Sequence, residues 1–360
     1  MSESLVERWI RPEIRAISAY HVPPSTGLIK LDAMENPYTW PPELTDAWMR
    51  QLRETAVNRY PDPAGERLVA RIREVMGVPA GQGILLGNGS DELIQVLAMA
   101  VATPDRAILA PEPGFVMYRM IAGFVGMRYH GVPLCADDFG LDLEAMLAAL
   151  AEHEPAIVFL AYPNNPTGNL WDRAAIERIV EAAPGLVVID EAYAPFAADS
   201  FLPDLGRWPN LLVMRTFSKL GLAGLRLGYL CGPTGLLGEL DKVRLPYNIN
   251  TLTQMTARLA LEHIGVFDAQ AATIRQSRAA LVAALGRLPG LRVYPSEANF
   301  LLVRTPPGQA DPIHQGLLDA GILIKNLSPA GGLLTDCLRI TVGTEQENAR
   351  LIGALQRLTG

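Results

Sequence analysis

Short apolar runs alternate with amphipathic stretches through the middle of the chain, over residues 82–230. This alternation is typical of βαβ units and predicts an α/β domain, with a mainly parallel central sheet flanked by helices. The runs predict strands at residues 84–86, 106–110, 157–160, 187–190, 212–215 and 227–230.

Helix start signals support this pattern between the strands. Asp142 and Asp172 stand as N-caps before stretches with a helical apolar period. Further helices are predicted over residues 251–287. Beyond them, short strands at 291–293, 298–303, 322–324 and 338–342 alternate with helices, which predicts a smaller α+β C-terminal domain.

At 360 residues the chain exceeds the usual size of a single core. The N-terminal segment contains Pro23, Pro24, Pro37, Pro41 and Pro42 and little periodicity, which favours an extended arm. We therefore predict an arm over residues 1–45, a large domain over 46–265 and a small domain over 266–360.

Composition narrows the functional class. The chain is 49% hydrophobic and 19% charged, as globular proteins are, and its net charge of -7 without a basic run argues against nucleic acid or anionic membranes as partners. Three widely spaced cysteines predict neither a disulfide framework nor a metal site. No signal-peptide pattern or spanning apolar stretch is present, so a cytoplasmic location is expected.

Four short motifs follow predicted strands: GNGSDE at 87–92, YPNNPTG at 162–168, VVIDEAY at 187–193 and TFSKLGLAGLRLGY at 216–229. Taken singly, they are compatible with a capped helix, a tight turn, a capping carboxylate and a surface lysine. Open α/β sheets bind ligands where their strands end, so the joint order of the motifs favours one ligand site.

These motifs, in this order, resemble the fold-type I aminotransferases that use pyridoxal 5'-phosphate, and the resemblance covers nearly the whole chain. It implies that Lys219 forms a Schiff base with the cofactor. It also implies that Asp190 pairs with the protonated pyridine nitrogen, which makes the ring a better electron sink.

The resemblance implies further cofactor contacts. Asn165 and Tyr193 would donate to the ring oxygen, and Phe115 would stack on the ring, although a plain core phenylalanine is nearly as compatible with the sequence. The cofactor phosphate would lie on the turn at the start of a helix, closed in by a hydroxyl and a guanidinium. The phosphate-site residues would be Gly89, Ser90, Asp91, Ser218 and Arg226.

Tyr60, in NRYPDP, resembles the family's residue that reaches the phosphate in the neighbouring subunit. This implies a homodimer with shared active sites. The alternative is a surface aromatic in a proline-rich turn.

The segments IKLDAMENPY, SEANFLLVR and DCLRITVGTEQEN resemble histidinol-phosphate aminotransferases of histidine biosynthesis. That family exchanges an amino group between L-histidinol phosphate and 2-oxoglutarate, with ping-pong kinetics. Arg339 would bind the substrate phosphate in one half-reaction and the glutamate carboxylate in the other. Tyr20 would lie near the substrate phosphate or pack in the arm. Lys325 stands where many members carry arginine, which puts its bidentate phosphate contact in doubt.

Three alternatives are weighed against this hypothesis. An aromatic amino-acid aminotransferase would use the same pocket, and a threonine-phosphate decarboxylase would use the same cofactor contacts. A transcription regulator with an aminotransferase-like domain would need a basic DNA-binding segment, for which the arm is too short and insufficiently basic.

Overall fold

The computed structural model describes residues 4–19 and 22–360. Its helices are α1 (Leu5–Trp9), α2 (Pro12–Arg15), α3 (Pro42–Glu54), α4 (Glu66–Met76), α5 (Ser90–Val101), α6 (Val116–Val125), α7 (Leu143–His153), α8 (Arg173–Ala182), α9 (Thr234–Asp241), α10 (Thr251–Glu262), α11 (Ile264–Leu285), α12 (Ala310–Asp319) and α13 (Glu345–Thr359). Its strands are β1 (Ile29–Leu31), β2 (Gln82–Gly87), β3 (Ala107–Glu112), β4 (Arg128–Pro133), β5 (Ile157–Ala161), β6 (Leu186–Asp190), β7 (Leu211–Thr216), β8 (Gly228–Pro233), β9 (Arg292–Val293), β10 (Phe300–Arg304), β11 (Ile322–Asn326) and β12 (Cys337–Thr341).

The larger sheet has the strand order β2-β8-β7-β6-β5-β3-β4. Strands β3 to β7 pair in parallel, whereas β8 is antiparallel to both β2 and β7. The predicted, mainly parallel sheet is thus confirmed. Strand β4 was not predicted, because it is an edge strand whose exposed and half-buried residues lack an apolar run.

Helices cover both faces of this sheet, and its central strands are buried along their length. The predicted N-caps are confirmed: Asp142 accepts a hydrogen bond from the Ala145 N–H, and Asp172 accepts one from the Ala174 N–H, both at 3.0 Å. Helices α7 and α8 therefore begin where the sequence indicates.

The smaller sheet has the order β1-β11-β12-β10-β9. Strand β1 pairs in parallel with β11, so part of the N-terminal segment belongs to the C-terminal sheet. The expectation of an extended arm is therefore wrong in part. Helices α1 and α2 also form within the N-terminal segment. Helix α3 begins at Pro42, because proline is tolerated in the first turn of a helix. The division into domains at residues 45 and 265 stays a prediction.

No helix within residues 4–19 and 22–360 is long and apolar enough to cross a bilayer. In the same ranges, no group of three or more histidine, cysteine, aspartate or glutamate side chains is arranged to hold a metal ion.

Candidate active site

The site lies at the edge of the larger sheet where β3, β5, β6 and β7 end. Because these strands are parallel, the residues that follow them converge on one cavity of about 240 Å³. Most of the residues singled out from the sequence line this cavity. They are Ser90, Asp91, Phe115, Asn165, Asp190, Tyr193, Ser218, Lys219 and Arg226.

Lys219 follows β7 in a tight turn that the left-handed φ of Gly221 permits. Its Nζ donates a hydrogen bond to the Ala33 carbonyl at 3.1 Å. Burial, followed by the positive charge of Arg339, lowers the pKa of Lys219 to about 8. The neutral amine, which is the form that attacks a carbonyl, is therefore a far larger fraction near physiological pH than it is in an exposed lysine, although the protonated form still predominates.

Asp190 ends β6 and is buried. The Tyr118 hydroxyl donates to its Oδ2 at 2.7 Å, and the Ala192 N–H donates to its Oδ1 at 3.1 Å. Burial raises the pKa of Asp190 to about 6. Within the described residues the carboxylate has neutral donors and no ion pair, so it suits a cationic ring nitrogen brought by a ligand.

A cradle for an anion lies at the start of helix α5. The first N–H groups of this helix, from Ser90 onward, have no partner within the helix. Arg226 Nη1 donates to Ser218 Oγ at 3.2 Å, and Arg226 Nη2 lies 3.6 Å from Asp91 Oδ2. A guanidinium, a hydroxyl and helical N–H groups are a fitting donor set for a phosphate.

The predicted phosphate contact of Gly89 is wrong. Its N–H donates to the Gly87 carbonyl at 2.8 Å, so it is not free for a phosphate as the sequence suggested. Its contribution is space: a Cβ at Gly89 would lie 2.7 Å from Arg226 Nη2, and its φ of 87° is one that favours glycine.

Three further side chains, Phe115, Tyr193 and Asn165, line the cavity. Phe115 is half-buried at the start of α6, and Tyr193 is buried, with its ring edge-on to Phe300 at 5.1 Å. Burial raises the pKa of Tyr193, so its hydroxyl stays a donor. Asn165 Oδ1 accepts a hydrogen bond from Arg339 Nη1 at 2.6 Å, which leaves the amide Nδ2 as the donor toward the cavity.

Arg339 and Lys325 lie directly opposite each other on β12 and β11. Opposite residues of an antiparallel pair project from the same face, so two cations share one side of the smaller sheet. Arg339 also donates to the Asp32 carbonyl at 3.0 Å. Lys325 is half-buried, and neither Lys325 nor Arg339 is among the residues that line the cavity, which Arg339 adjoins through Asn165.

Tyr60 does not join this cavity. Its ring is 81% exposed and stacks on Tyr247 at 4.5 Å beside a separate surface cavity. The Tyr20 prediction lies outside the described residues.

Two contributors were missed from the sequence. Tyr118 contacts Asp190 from helix α6, and its spacing of three residues from Phe115 was the available signal, since such residues share a helix face. The segment after β1 supplies the Ala33 carbonyl that holds Lys219, and it lines the cavity through Ala33, Met34 and Glu35. The segment lies within IKLDAMENPY, which the family resemblance singled out, but no residue in it was predicted to belong to the site.

Comparison with known proteins decides the family. The model of the family "Aminotransferase class I and II" matches residues 26–355. The chain belongs to the class I and II aminotransferase family. It is 56% identical over 356 residues to histidinol-phosphate aminotransferase 2 of Nitrosococcus oceani, with 99% of each chain covered. It is 54% identical to the histidinol-phosphate aminotransferase of Chromobacterium violaceum, with 98% of each covered.

Among solved structures, the aminotransferase is similar to the histidinol-phosphate aminotransferase of Sinorhizobium meliloti in complex with pyridoxal 5'-phosphate. The TM-score is 0.86 at 26% identity, covering 97% of this chain and 96% of the other. The fold-type I architecture expected from the sequence is confirmed.

Enzymes of this family use pyridoxal 5'-phosphate, and the cavity fits it. A half-buried lysine and a buried carboxylate face one cavity without an ion pair in the described chain, and a glycine leaves room beside an arginine. These features correspond to the aldehyde, the ring nitrogen and the phosphate of the cofactor.

Proposed function

We propose that this aminotransferase exchanges an amino group between L-histidinol phosphate and 2-oxoglutarate, giving imidazole acetol phosphate and L-glutamate, in histidine biosynthesis. Curated relatives that are 51% to 56% identical over nearly the whole chain carry that activity in their names. The observation that carries the proposal is the pair of cations, Arg339 and Lys325, on one face beside Asn165.

The residues at the sheet edge would hold the cofactor. Lys219 would bind its aldehyde, Asp190 would face its ring nitrogen, and Phe115 would cover one ring face. Tyr193 and Asn165 would donate to its ring oxygen. Bound pyridoxal phosphate withdraws electrons from the substrate's Cα and makes the Cα proton acidic.

Lys219 then moves the proton. Once the substrate amine has taken its place, Lys219 Nζ is the base that accepts the proton from the substrate's Cα. A pKa of about 8 suits this task, because a base is most effective when its pKa is close to the working pH. Ala33, whose carbonyl holds Nζ at 3.1 Å, keeps the amine directed into the cavity.

Arg339 recognises the anionic end of both substrates in turn. Phosphate and carboxylate each present paired oxygens to a guanidinium fork, so one arginine serves both half-reactions. Lys325 adds a point charge on the same face of the sheet, and the larger charge of the phosphate gains most from it.

We further propose a homodimer in which Tyr60 reaches the phosphate site of the partner subunit. Support comes from its position: an aromatic ring 81% exposed on a proline-rich turn, away from its own subunit's cavity. Tyr20 near the substrate phosphate and a cytoplasmic location stay predictions.

The test uses the absorbance spectrum of the cofactor-loaded enzyme during single additions of amino donors. L-histidinol phosphate should convert the cofactor to its amine form at low concentration, and 2-oxoglutarate should reverse the change. L-phenylalanine and L-threonine phosphate are the competing donors. Preference for phenylalanine, or release of carbon dioxide from threonine phosphate, would contradict the proposal.

A further inference from the structure

The proposed roles leave the hydroxyl of Tyr118, which contacts Asp190, unused. Tyr118 lies on α6, is 1% exposed, and donates to Asp190 Oδ2 at 2.7 Å. The Ala192 N–H holds the other oxygen at 3.1 Å. Among residues 4–19 and 22–360, each carboxylate oxygen therefore has one donor, which leaves lone pairs for a ligand.

The ring of Tyr118 is fixed as firmly as its hydroxyl. It stacks on Phe159 of β5, with centroids 4.5 Å apart and planes within 4°. It also meets Phe115 edge-on at 5.5 Å. One side chain thus contacts both the carboxylate assigned to the ring nitrogen and the aromatic assigned to the ring face.

The donated bond also has an electrostatic effect. Burial favours the neutral acid form of Asp190, and the nearby carboxylates of Asp91 and Glu191 act in the same direction. The Tyr118 hydroxyl opposes them, because a donor stabilises the charged carboxylate and lowers its pKa. Burial and Asp190 itself raise the pKa of Tyr118, so the phenol stays a neutral donor.

We propose that Tyr118 is a positioning residue that holds Asp190 as an anion directed at the cofactor's ring nitrogen and braces Phe115 against the ring. The inference rests on the proposed role of Asp190. In this role, a residue of helix α6 would keep the cofactor's ring nitrogen protonated through Asp190, and so would strengthen the ring's withdrawal of electrons.

The test measures binding of pyridoxamine 5'-phosphate to cofactor-free enzyme between about pH 5.5 and 8.5. This probe carries the same ring and phosphate but no aldehyde, so Lys219 chemistry does not enter. In the parent enzyme, affinity should fall at low pH as Asp190 is protonated. In Tyr118→Phe, which keeps the ring contacts, this acid limb should move up by about one pH unit, because a hydrogen bond to a charged group is lost.

The expected consequence is an affinity about 8-fold weaker than the parent's at pH 5.5, about 2-fold weaker near pH 7 and close to it at pH 8.5. The matched control is Tyr162→Phe, which removes a buried hydroxyl that donates to Asp199 at 2.9 Å, a carboxylate that does not line the cavity. Its acid limb should coincide with that of the parent. An unshifted limb in Tyr118→Phe would overturn the proposal and leave Tyr118 a packing residue.

Asp190→Asn separates this inference from the role on which it rests. Asparagine does not titrate, so the acid limb should shrink to the part contributed by the probe's own phosphate, whose second ionisation lies near pH 6, and adding Tyr118→Phe should then change nothing further. A limb in Asp190→Asn as large as that of the parent would overturn both assignments. If Tyr118→Phe does not fold, enzyme labelled with 3-fluorotyrosine replaces it: the more acidic phenol should move the limb to lower pH, and an unmoved limb would refute the proposal.

Discussion

Replacing Lys219 with methionine tests the electrostatic state of the site without any turnover. Methionine is similar in length but has no charge to bury. In the parent, burial and Arg339 lower the pKa of Lys219 from 10.5 to about 8, so between these values the folded chain binds fewer protons than the unfolded chain. Stability rises with pH wherever the unfolded state binds more protons. The parent should therefore gain stability relative to Lys219→Met as pH rises.

The size of this gain follows from the two pKa values. Between pH 7 and pH 9.5, linkage gives a relative gain of about 2 kcal/mol in the free energy of unfolding of the cofactor-free parent. Lys219→Met also loses the hydrogen bond to the Ala33 carbonyl. This loss lowers its stability by a similar amount at both pH values, because the neutral amine of the parent still donates that bond. The difference between the two pH values thus isolates the titration.

The assay is denaturant unfolding of cofactor-free protein at one protein concentration, at both pH values. Lys242→Met is the control, since it removes a lysine whose side chain is 67% exposed. Its pH dependence should follow that of the parent. Parallel curves for the parent and Lys219→Met would refute the reasoning, because they would mean that burial does not depress the lysine's pKa.

Four other substitutions test the remaining roles. Asp190→Asn should leave the fold intact but lower kcat by about 1000-fold, and unchanged turnover would remove Asp190 from the ring nitrogen. Arg339→Ala should raise KM for both histidinol phosphate and glutamate by about 100-fold, whereas an effect on glutamate alone would contradict a shared anion site. Gly89→Ala should weaken cofactor binding in equilibrium dialysis by about 10-fold, since its Cβ meets an arginine nitrogen at 2.7 Å; equal affinity would show that the cradle tolerates the methyl. Tyr60→Phe should lower activity and Lys219→Ala should abolish it, whereas a mixture of the two should form dimers that retain one intact site. No recovery of activity on mixing would argue against shared sites.

The sheet edge could be predicted because parallel strands impose it. Asn165, Asp190 and Lys219 each follow an apolar run, and runs that are joined by helices must end on the same side. The direction of β8 could not be predicted, because an apolar run does not indicate whether its strand pairs in parallel or antiparallel with its neighbours. Its antiparallel pairing brings Arg226, which precedes it, to the same edge as Lys219.

Contacts between residues that are far apart in the sequence could not be predicted from it. Tyr118 and Asp190 are 72 residues apart, and their 2.7 Å contact depends on how α6 lies on the sheet. The pairing of β1 with β11 is equally non-local, and it brings the Ala33 carbonyl to Lys219. A three-residue strand in a proline-containing segment gives no periodicity from which to read that contact.

The anion site and the cofactor ring site are joined through one side chain. Arg339 Nη1 donates to Asn165 Oδ1, which fixes the amide so that Nδ2, a donor, faces the position assigned to the cofactor's ring oxygen. Without the arginine, the amide can turn its acceptor oxygen toward that position, where it would repel the ring oxygen's lone pairs. We therefore expect Arg339 to affect the chemical step as well as substrate binding, so that its replacement by alanine should lower kcat even when both substrates are saturating.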